Sequence, residues 1–417
     1  MELIAQIVKV VVVPVVVLSF IPLLIWMERK GAAYMQDRRG PNRAQILGIR
    51  LGGMIHNIAD VIKLLTKEEF IPTGANRFYF ILAPFLTMFV YIVTVAAVPF
   101  ADELRLGEFT FSLQVADLNV GLLYLFAIAS LAVYGIMLAG WSSNNKYSFL
   151  GGLRASSQMI SYEVALGLSV VSIFMVAESV SLGDIVRAQG TSPLGWYLVQ
   201  QPLAFLLFVT AAFAETNRIP FDLPEGESEL VAGFHVEYSS MKFALFFMAE
   251  YAAMVVASAV IVSLFLGGWQ VPFFSTEDLI SGAPIYLRLV AFGLSILSAL
   301  AGIFLISRFR RRFHDLRDLE VLFFGIPALL AGLGLGGYLW SVGIPIFPDW
   351  GGPVFAAAVQ VVTFLLKVTL FCFFFVWVRW TLPRFRYDQL MRFGWKGMLP
   401  LALLNILGTG VYLLVTH

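Results

Sequence analysis

The sequence predicts an all-α polytopic membrane protein, with about ten transmembrane helices and one amphipathic helix at the membrane surface. Three observations predict it. Of 417 residues, 59% are hydrophobic and only 13% charged, with a mean hydropathy of +0.84; a soluble domain carries about a quarter charged residues. Several apolar runs exceed the roughly 20 residues that cross a hydrocarbon core. Finally, Lys and Arg concentrate in alternate loops, as the positive-inside rule expects, with the acidic loop after the fifth span as the exception.

The apolar runs place spans at 3–26, 78–99, 119–140, 156–178, 195–214, 242–267, 285–307, 321–342, 355–379 and 397–415. The first begins MELIAQIVKV, with little positive charge ahead of it and no small-residue cleavage signal, so it reads as a retained helix. Glu28-Arg29-Lys30 is expected to end it. The stretch 27–77 carries nine Lys and Arg and must lie at the surface. Within it, 53–66 reads GMIHNIADVIKLLT: Met54, Ile55, Ile58, Val61, Ile62 and Leu65 form one helical stripe, with His56, Asp60, Lys63 and Lys67 opposite. That pattern fits a helix lying flat in the interface, and also one bordering the mouth of a site for a lipid-soluble ligand. The loop 308–320 holds five arginines, whereas 268–284 and 343–354 hold none. Odd loops therefore face inward and both termini face out, toward the periplasm if the membrane is a bacterial inner membrane.

Composition also excludes functions. A single cysteine, Cys372, permits neither an internal disulfide nor a cysteine-bound iron–sulfur cluster. The four histidines are far apart and lack metal-ligand spacing, so no metal is expected. There is no G-x-G-x-x-G opening a helix after a strand, no Walker motif and no haem-like histidine pairing. A net charge of +1 gives no basis for nucleic-acid binding.

Ionisable groups within spans cost about 2.5–3.5 kcal/mol each on insertion scales, so each marks a functional candidate. Glu163 and Glu250 lie within the fourth and sixth spans, Glu215 closes the fifth, and Lys367 sits in the ninth. Glu178 reads as an interfacial cap. After Glu215 runs the acidic loop ETNRIPFDLPEGESEL, with Asp222, Glu225, Glu227 and Glu229 against one base, Arg218, and broken by Pro220 and Pro224. Carboxylates crowded at one depth in a low dielectric cannot all ionise, which is the physical basis of a proton relay. Two classes fit: an autonomous ion transporter or channel, or a membrane subunit of an energy-converting complex. The chain shows no duplicated half and no matched broken helices, the usual pointers to a transporter.

Several long motifs carry a family resemblance. ERKGAAYMQDRRGPNRA at 28–44, ADVIKLLTKE at 59–68, PFDLPEGESELVAGFHVEYSSMKFALFFMAEY at 220–251 and LPRFRYDQLMRFGWKGMLPLALLN at 382–405 occur in family order. The chain resembles the H-subunit family of proton-translocating NADH:quinone oxidoreductase, respiratory complex I. The resemblance implies quinone (ubiquinone or menaquinone) as substrate, and no flavin or iron–sulfur cluster in this chain. It implies partners in both the peripheral arm at the quinone site and the membrane arm, besides membrane lipid. It assigns Arg29, Arg38, Arg43, Asp60 and Lys63 to the quinone tunnel. It assigns Glu163, Glu215, Asp222, Glu225, Glu227, Glu229, Glu237 and Glu250 to proton coupling. The family core has eight spans, so 283–345 reads as a two-helix insertion in a single membrane domain, with 215–241 as the quinone-side loop. Membrane-bound hydrogenases and ferredoxin- or F420-linked complexes share the core and form the alternative.

Overall fold

The computed structural model describes residues 2–107, 109–223, 233–309, 319–341, 348 and 350–416. Among them, nine helices are long and apolar enough to cross a membrane, and Pro202–Glu215, in the place of the fifth expected span, is a shorter apolar helix. The only paired strands among the described residues are β1 (Leu104–Leu106) and β2 (Phe109–Phe111), a small antiparallel hairpin between two spans. An all-α membrane bundle is therefore the architecture.

At the centre stands α10 (Ser240–Phe265), apolar on every side and buried along most of its length. A helix without a polar face belongs inside a bundle. Around it pack α1 (Glu2–Met35), α3 (Arg77–Thr94) and α14 (Gly351–Thr381). A second layer forms on α6 (Lys146–Ala177), which contacts α5 (Ala132–Ser142), α9 (Pro202–Glu215) and α16 (Leu399–Thr416). The third span is two segments, α4 (Gly121–Ser130) and α5, broken at Leu131.

Several boundaries depart from the sequence reading. Glu28-Arg29-Lys30 does not end the first helix, which runs on to Met35. Glu28 and Lys30 are buried against protein, so their charges need no exit to water. The fourth helix begins at Lys146, ten residues before the expected 156, capped by the Asn145 side chain accepting from Tyr147 N–H. Glu163 therefore lies at mid-helix. The fifth span divides into α8 (Tyr197–Gln200) and α9, with Pro202 opening the second piece. At about 1.5 Å per residue, α9 alone is too short to cross the core. It ends inside the bundle and delivers the following loop at depth. The last span begins at Tyr387, ten residues before the expected 397, and passes through a π-helical turn at Phe393–Met398. There Tyr162 donates to Leu390 O at 2.9 Å and its ring packs on Gly394.

The surface helix α2 (Ile55–Thr66) forms as expected, with Ile58, Val61, Ile62 and Leu65 exposed. Its end is pinned to α10: Ser240 donates to Leu64 O at 2.9 Å, and Lys242 pairs with Glu69 at 2.5 Å. The lysine beside Glu69 holds that carboxyl below its ordinary value. The turn entering α2 needs glycine. Gly53 has φ +102°, and a Cβ there would lie 2.2 Å from Pro41 O.

Two further helices, α12 (Ala283–Ser307) and α13 (Leu319–Ser341), form a hairpin at the bundle's edge, following the short α11 (Thr276–Ser281). Small residues let their backbones meet: a Cβ on Gly302 would sit 2.5 Å from Leu329 N, and one on Gly332 2.5 Å from Ala299 N. Ser298 donates across to Ala328 O at 2.7 Å. Close approach through small residues is how helices associate in lipid, where apolar burial drives little.

Candidate functional site

At the end of the bundle where α1 finishes, four segments distant in sequence bring charges together. Arg218, in the loop after α9, is 2% exposed. Its Nη1 lies 3.2 Å from Glu28 Oε2 and its Nε 2.8 Å from Glu250 Oε1. The second contact is an ion pair whose N–H is not aimed for a hydrogen bond. Arg379, near the end of α14, pairs with the other oxygen of Glu28. Tyr251 donates to Glu28 at 2.7 Å, and its ring lies 4.4 Å beneath the Arg218 guanidinium. Asp222 pairs with Arg384 at 3.1 Å and is close enough to Glu250 to repel it. Desolvation alone would lower the Arg218 pKa; the Glu250 and Glu28 carboxylates outweigh it and hold the group well above its ordinary value. Two guanidinium groups facing two carboxylates neutralise one another, the condition under which buried charges persist.

The loop bearing Arg218 is held from below. Gln158 of α6 is fully buried, and its Nε2 donates to Ala214 O at 2.8 Å and Phe221 O at 2.9 Å, one carbonyl on each side of the turn.

A cavity of about 530 Å³ opens onto this cluster. Arg29, Arg38 and Trp380 line it, and Glu28, Tyr251 and Arg379 form its wall toward the ion pairs. Arg29 also pairs with Asp60 of α2 at 2.6 Å, with both side chains half exposed. That volume lies within the roughly 300–1,000 Å³ of small-molecule sites. On the other side of Glu250 lies a cavity of about 20 Å³, lined by Glu250, Glu215, Tyr91, Asn217 and Thr216. A further one of about 30 Å³ continues from Glu215 and Tyr91 to Phe208 and Val260. Room of about 10–15 Å³ holds a water, so water fits beside both carboxylates. Glu163 is near enough to Glu215 for their charges to interact.

A profile described as NADH dehydrogenase matches residues 8–410, nearly the whole chain. The chain belongs to the NADH dehydrogenase family. Among its relatives is the NADH-quinone oxidoreductase H subunit 1 of Solibacter usitatus, 42% identical over 97% of this chain and 96% of that one. The H subunit 2 of Geobacter metallireducens is 41% identical, covering 98% and 95%. The H subunit 1 of Cytophaga hutchinsonii is 40% identical, covering 94% and 91%.

The family signatures thus meet in space, but not every residue drawn from them joins the site. Arg29 and Arg38 line the 530 Å³ cavity, Asp60 meets it only through its pair with Arg29, and Asp222 and Glu250 join the ion-pair cluster. Glu215 lines both small cavities, and Glu163 is near enough to Glu215 to interact with its charge. Arg43 lines a different cleft, and Lys63 is exposed on α2. Glu237 accepts from Asn145 Nδ2 at 2.6 Å, tying it to the cap of α6. Glu225, Glu227 and Glu229 lie outside the described residues. Lys367, a candidate by its place in a span, donates to the carbonyls of Leu266, Gly268 and Gln270 at 2.8, 3.0 and 2.8 Å, holding the end of α10.

Glu28, Arg218, Tyr251, Arg379 and Arg384 escaped the sequence reading. Two had a signal. Arg379 is an arginine inside an apolar run, FVWVRW, and Arg218 is the one base in an acidic loop. Glu28 reads only as part of the charged triplet expected to end the first span, and nothing in its neighbours distinguishes it.

Proposed function

We propose that the chain serves as the quinone-side membrane subunit of an NADH-quinone oxidoreductase, the complex named for its relatives. In this reading it forms the quinone tunnel with peripheral-arm subunits and couples quinone reduction to proton translocation. One observation carries the proposal: the wall of the 530 Å³ cavity and the buried ion-pair cluster are made of the same residues, Glu28, Tyr251 and Arg379. Whatever changes charge in the cavity changes the energy of Glu250 through Glu28 and Arg218.

Reduction of a quinone to quinol takes two electrons and two protons per ring. The electrons come from partner subunits, since the sequence has one cysteine and offers no cluster ligation. Negative charge developing on the quinone oxygens is stabilised by guanidinium groups held in place beforehand, those of Arg29, Arg38 and Arg379. Protons drawn toward the cavity leave carboxylates of the cluster more negative. Arg218 then redistributes its pairing between Glu28 and Glu250. Proton exchange passes through water beside Glu250 and Glu215, and on to Glu163. Asp222, with Glu225, Glu227 and Glu229, supplies the acidic side of the same loop. Lys63, Arg43 and Glu237 fall outside this path. The complex sits in the bacterial inner membrane, with both termini of this chain periplasmic.

The test is a mild-detergent pull-down on a C-terminal tag, followed by an assay for NADH:quinone electron transfer. Flavin and iron–sulfur subunits should co-purify, with inhibitor-sensitive quinone reduction. Glu250→Gln and Glu215→Gln should lower proton pumping more than quinone turnover in vesicles. A nickel–iron hydrogenase partner would move the chain to the alternative branch. Recovery of the chain alone, with ion flux in liposomes, would replace the reading with an autonomous transporter.

A further inference from the structure

A second cleft of about 730 Å³ lies between the loop after α1 and the α12–α13 hairpin. On the loop side it is lined by Arg39, Asn42, Arg43 and Arg50, and on the hairpin side by Leu305, Val321 and Phe324, with Glu320 between them. Arg50 and Glu320 form an ion pair at 3.1 Å that ties the hairpin to the loop. Among the described residues, that pair takes up the one carboxylate of the lining. Arg39 and Arg43 are exposed, and among the described residues their side chains have no ion-pair partner. The lining is therefore split: positive charge in excess on one wall, hydrocarbon on the other.

The split coincides with the membrane's own layering. Arg39 and Arg43 follow the end of α1, Leu305 is near the end of α12, and Glu320 and Val321 open α13. Three helix termini thus meet at one interfacial level. Beyond it, both helices of the hairpin expose long apolar side chains, among them Leu300, Phe304 and Phe323. We infer that this cleft holds an anionic phospholipid, its phosphate between Arg39 and Arg43 and its acyl chains along Leu305, Val321 and Phe324.

The charge argument selects this occupant. A zwitterionic lipid carries a choline or ethanolamine cation that two arginines repel, whereas an anionic headgroup leaves the phosphodiester uncompensated until it meets them. Free phosphate satisfies the arginines and leaves the apolar wall facing nothing it prefers to lipid. The cleft is distinct from the 530 Å³ cavity, yet Gly40 lines both. A lipid seated here would brace the backbone that forms one side of that cavity. The inference does not depend on which substrate the 530 Å³ cavity takes.

The experiment uses the intact complex purified in mild detergent and stripped of loosely held lipid. Phosphatidylglycerol bearing a diazirine on one acyl chain is added, and labelled peptides are mapped. Labelling of the 319–324 segment, competed by unlabelled phosphatidylglycerol but not by phosphatidylcholine or inorganic phosphate, is the expected result. In an Arg39→Gln/Arg43→Gln variant that labelling should fall by about tenfold or more, since each surface base contributes roughly a fivefold gain toward anionic lipid. Wild-type labelling alone decides the matter if the variant does not assemble. Absence of label at 319–324, or equal competition by phosphatidylcholine, overturns the inference. Competition by inorganic phosphate would reduce it to a simple anion site. Loss of a protein partner from the variant, with labelling unchanged, would make the cleft a protein interface.

Discussion

Arg218 holds two carboxylates from two helices while itself almost wholly removed from water. Removing one member of a buried ion-pair group costs about 3–5 kcal/mol, because the partners keep their desolvation penalty and lose its compensation. Arg218→Gln is therefore expected to deplete the assembled complex, as read by native gel and by quinone reductase activity per milligram of membrane. Arg218→Lys should rescue assembly only in part, since an ammonium cannot span Glu28 and Glu250 with fixed geometry. Full assembly of the glutamine variant would show that the cluster contributes little. His235 offers a separate test. It packs between the rings of Phe234 and Phe243, and burial pushes its pKa down to about 4. The folded state prefers the neutral ring, whereas the unfolded chain takes a proton near pH 6.5. Stability is thus complete above about pH 6.5, falls by up to about 3 kcal/mol between 6.5 and 4, and levels off below. His235→Phe should remove that part of the acid sensitivity of the thermal midpoint. An unchanged pH profile would place the sensitivity elsewhere.

At the level of elements, short and broken helices do the positioning. Because α9 stops within the bundle, the next loop presents Arg218 and Asp222 at depth, and Gln158 holds that loop by its carbonyls. The C-terminal end of α10 is finished differently. Gly267 and Gly268 turn the chain with φ of +68° and +47°, against Trp196 and Val186, and Lys367 closes the freed carbonyls. A cation at a helix C-terminus also complements the helix dipole. Lys367→Met should lower the thermal midpoint of the purified complex, at a cost of about 2–3 kcal/mol for carbonyls left unpaired. Quinone turnover per assembled complex should persist, because Lys367 touches neither the larger cavity nor the ion-pair cluster. A selective loss of proton pumping in this variant would instead return Lys367 to the coupling path.

For the whole molecule, the question is what the α12–α13 hairpin adds. It packs chiefly on itself and touches the core through α14 and the Arg50–Glu320 pair. Deletion of 284–344 is expected to leave an assembled complex that still reduces quinone, with lowered thermal stability because the Arg50–Glu320 pair is lost. Complete failure to assemble would make the hairpin part of the structural core.

Nine of the ten expected spans, the surface helix and the motifs bordering the site were legible in the sequence, whereas the break of the fifth span at Pro202 was not. They rest on hydrophobicity and period, local properties that a bilayer enforces along each segment separately. Glu250 was legible too, because any carboxylate in an apolar run declares its own cost. The partners were not. Glu28, Arg218 and Arg379 lie on α1, a loop and α14, and only packing around α10 brings them within ion-pair distance. The length of α1 beyond its apolar run follows the same logic, since a charge buried against protein does not end a helix as one facing lipid would. Sequence by itself determined what each helix is. Tertiary structure decided which charges neutralise one another, because that energy depends on distances between residues far apart in the chain.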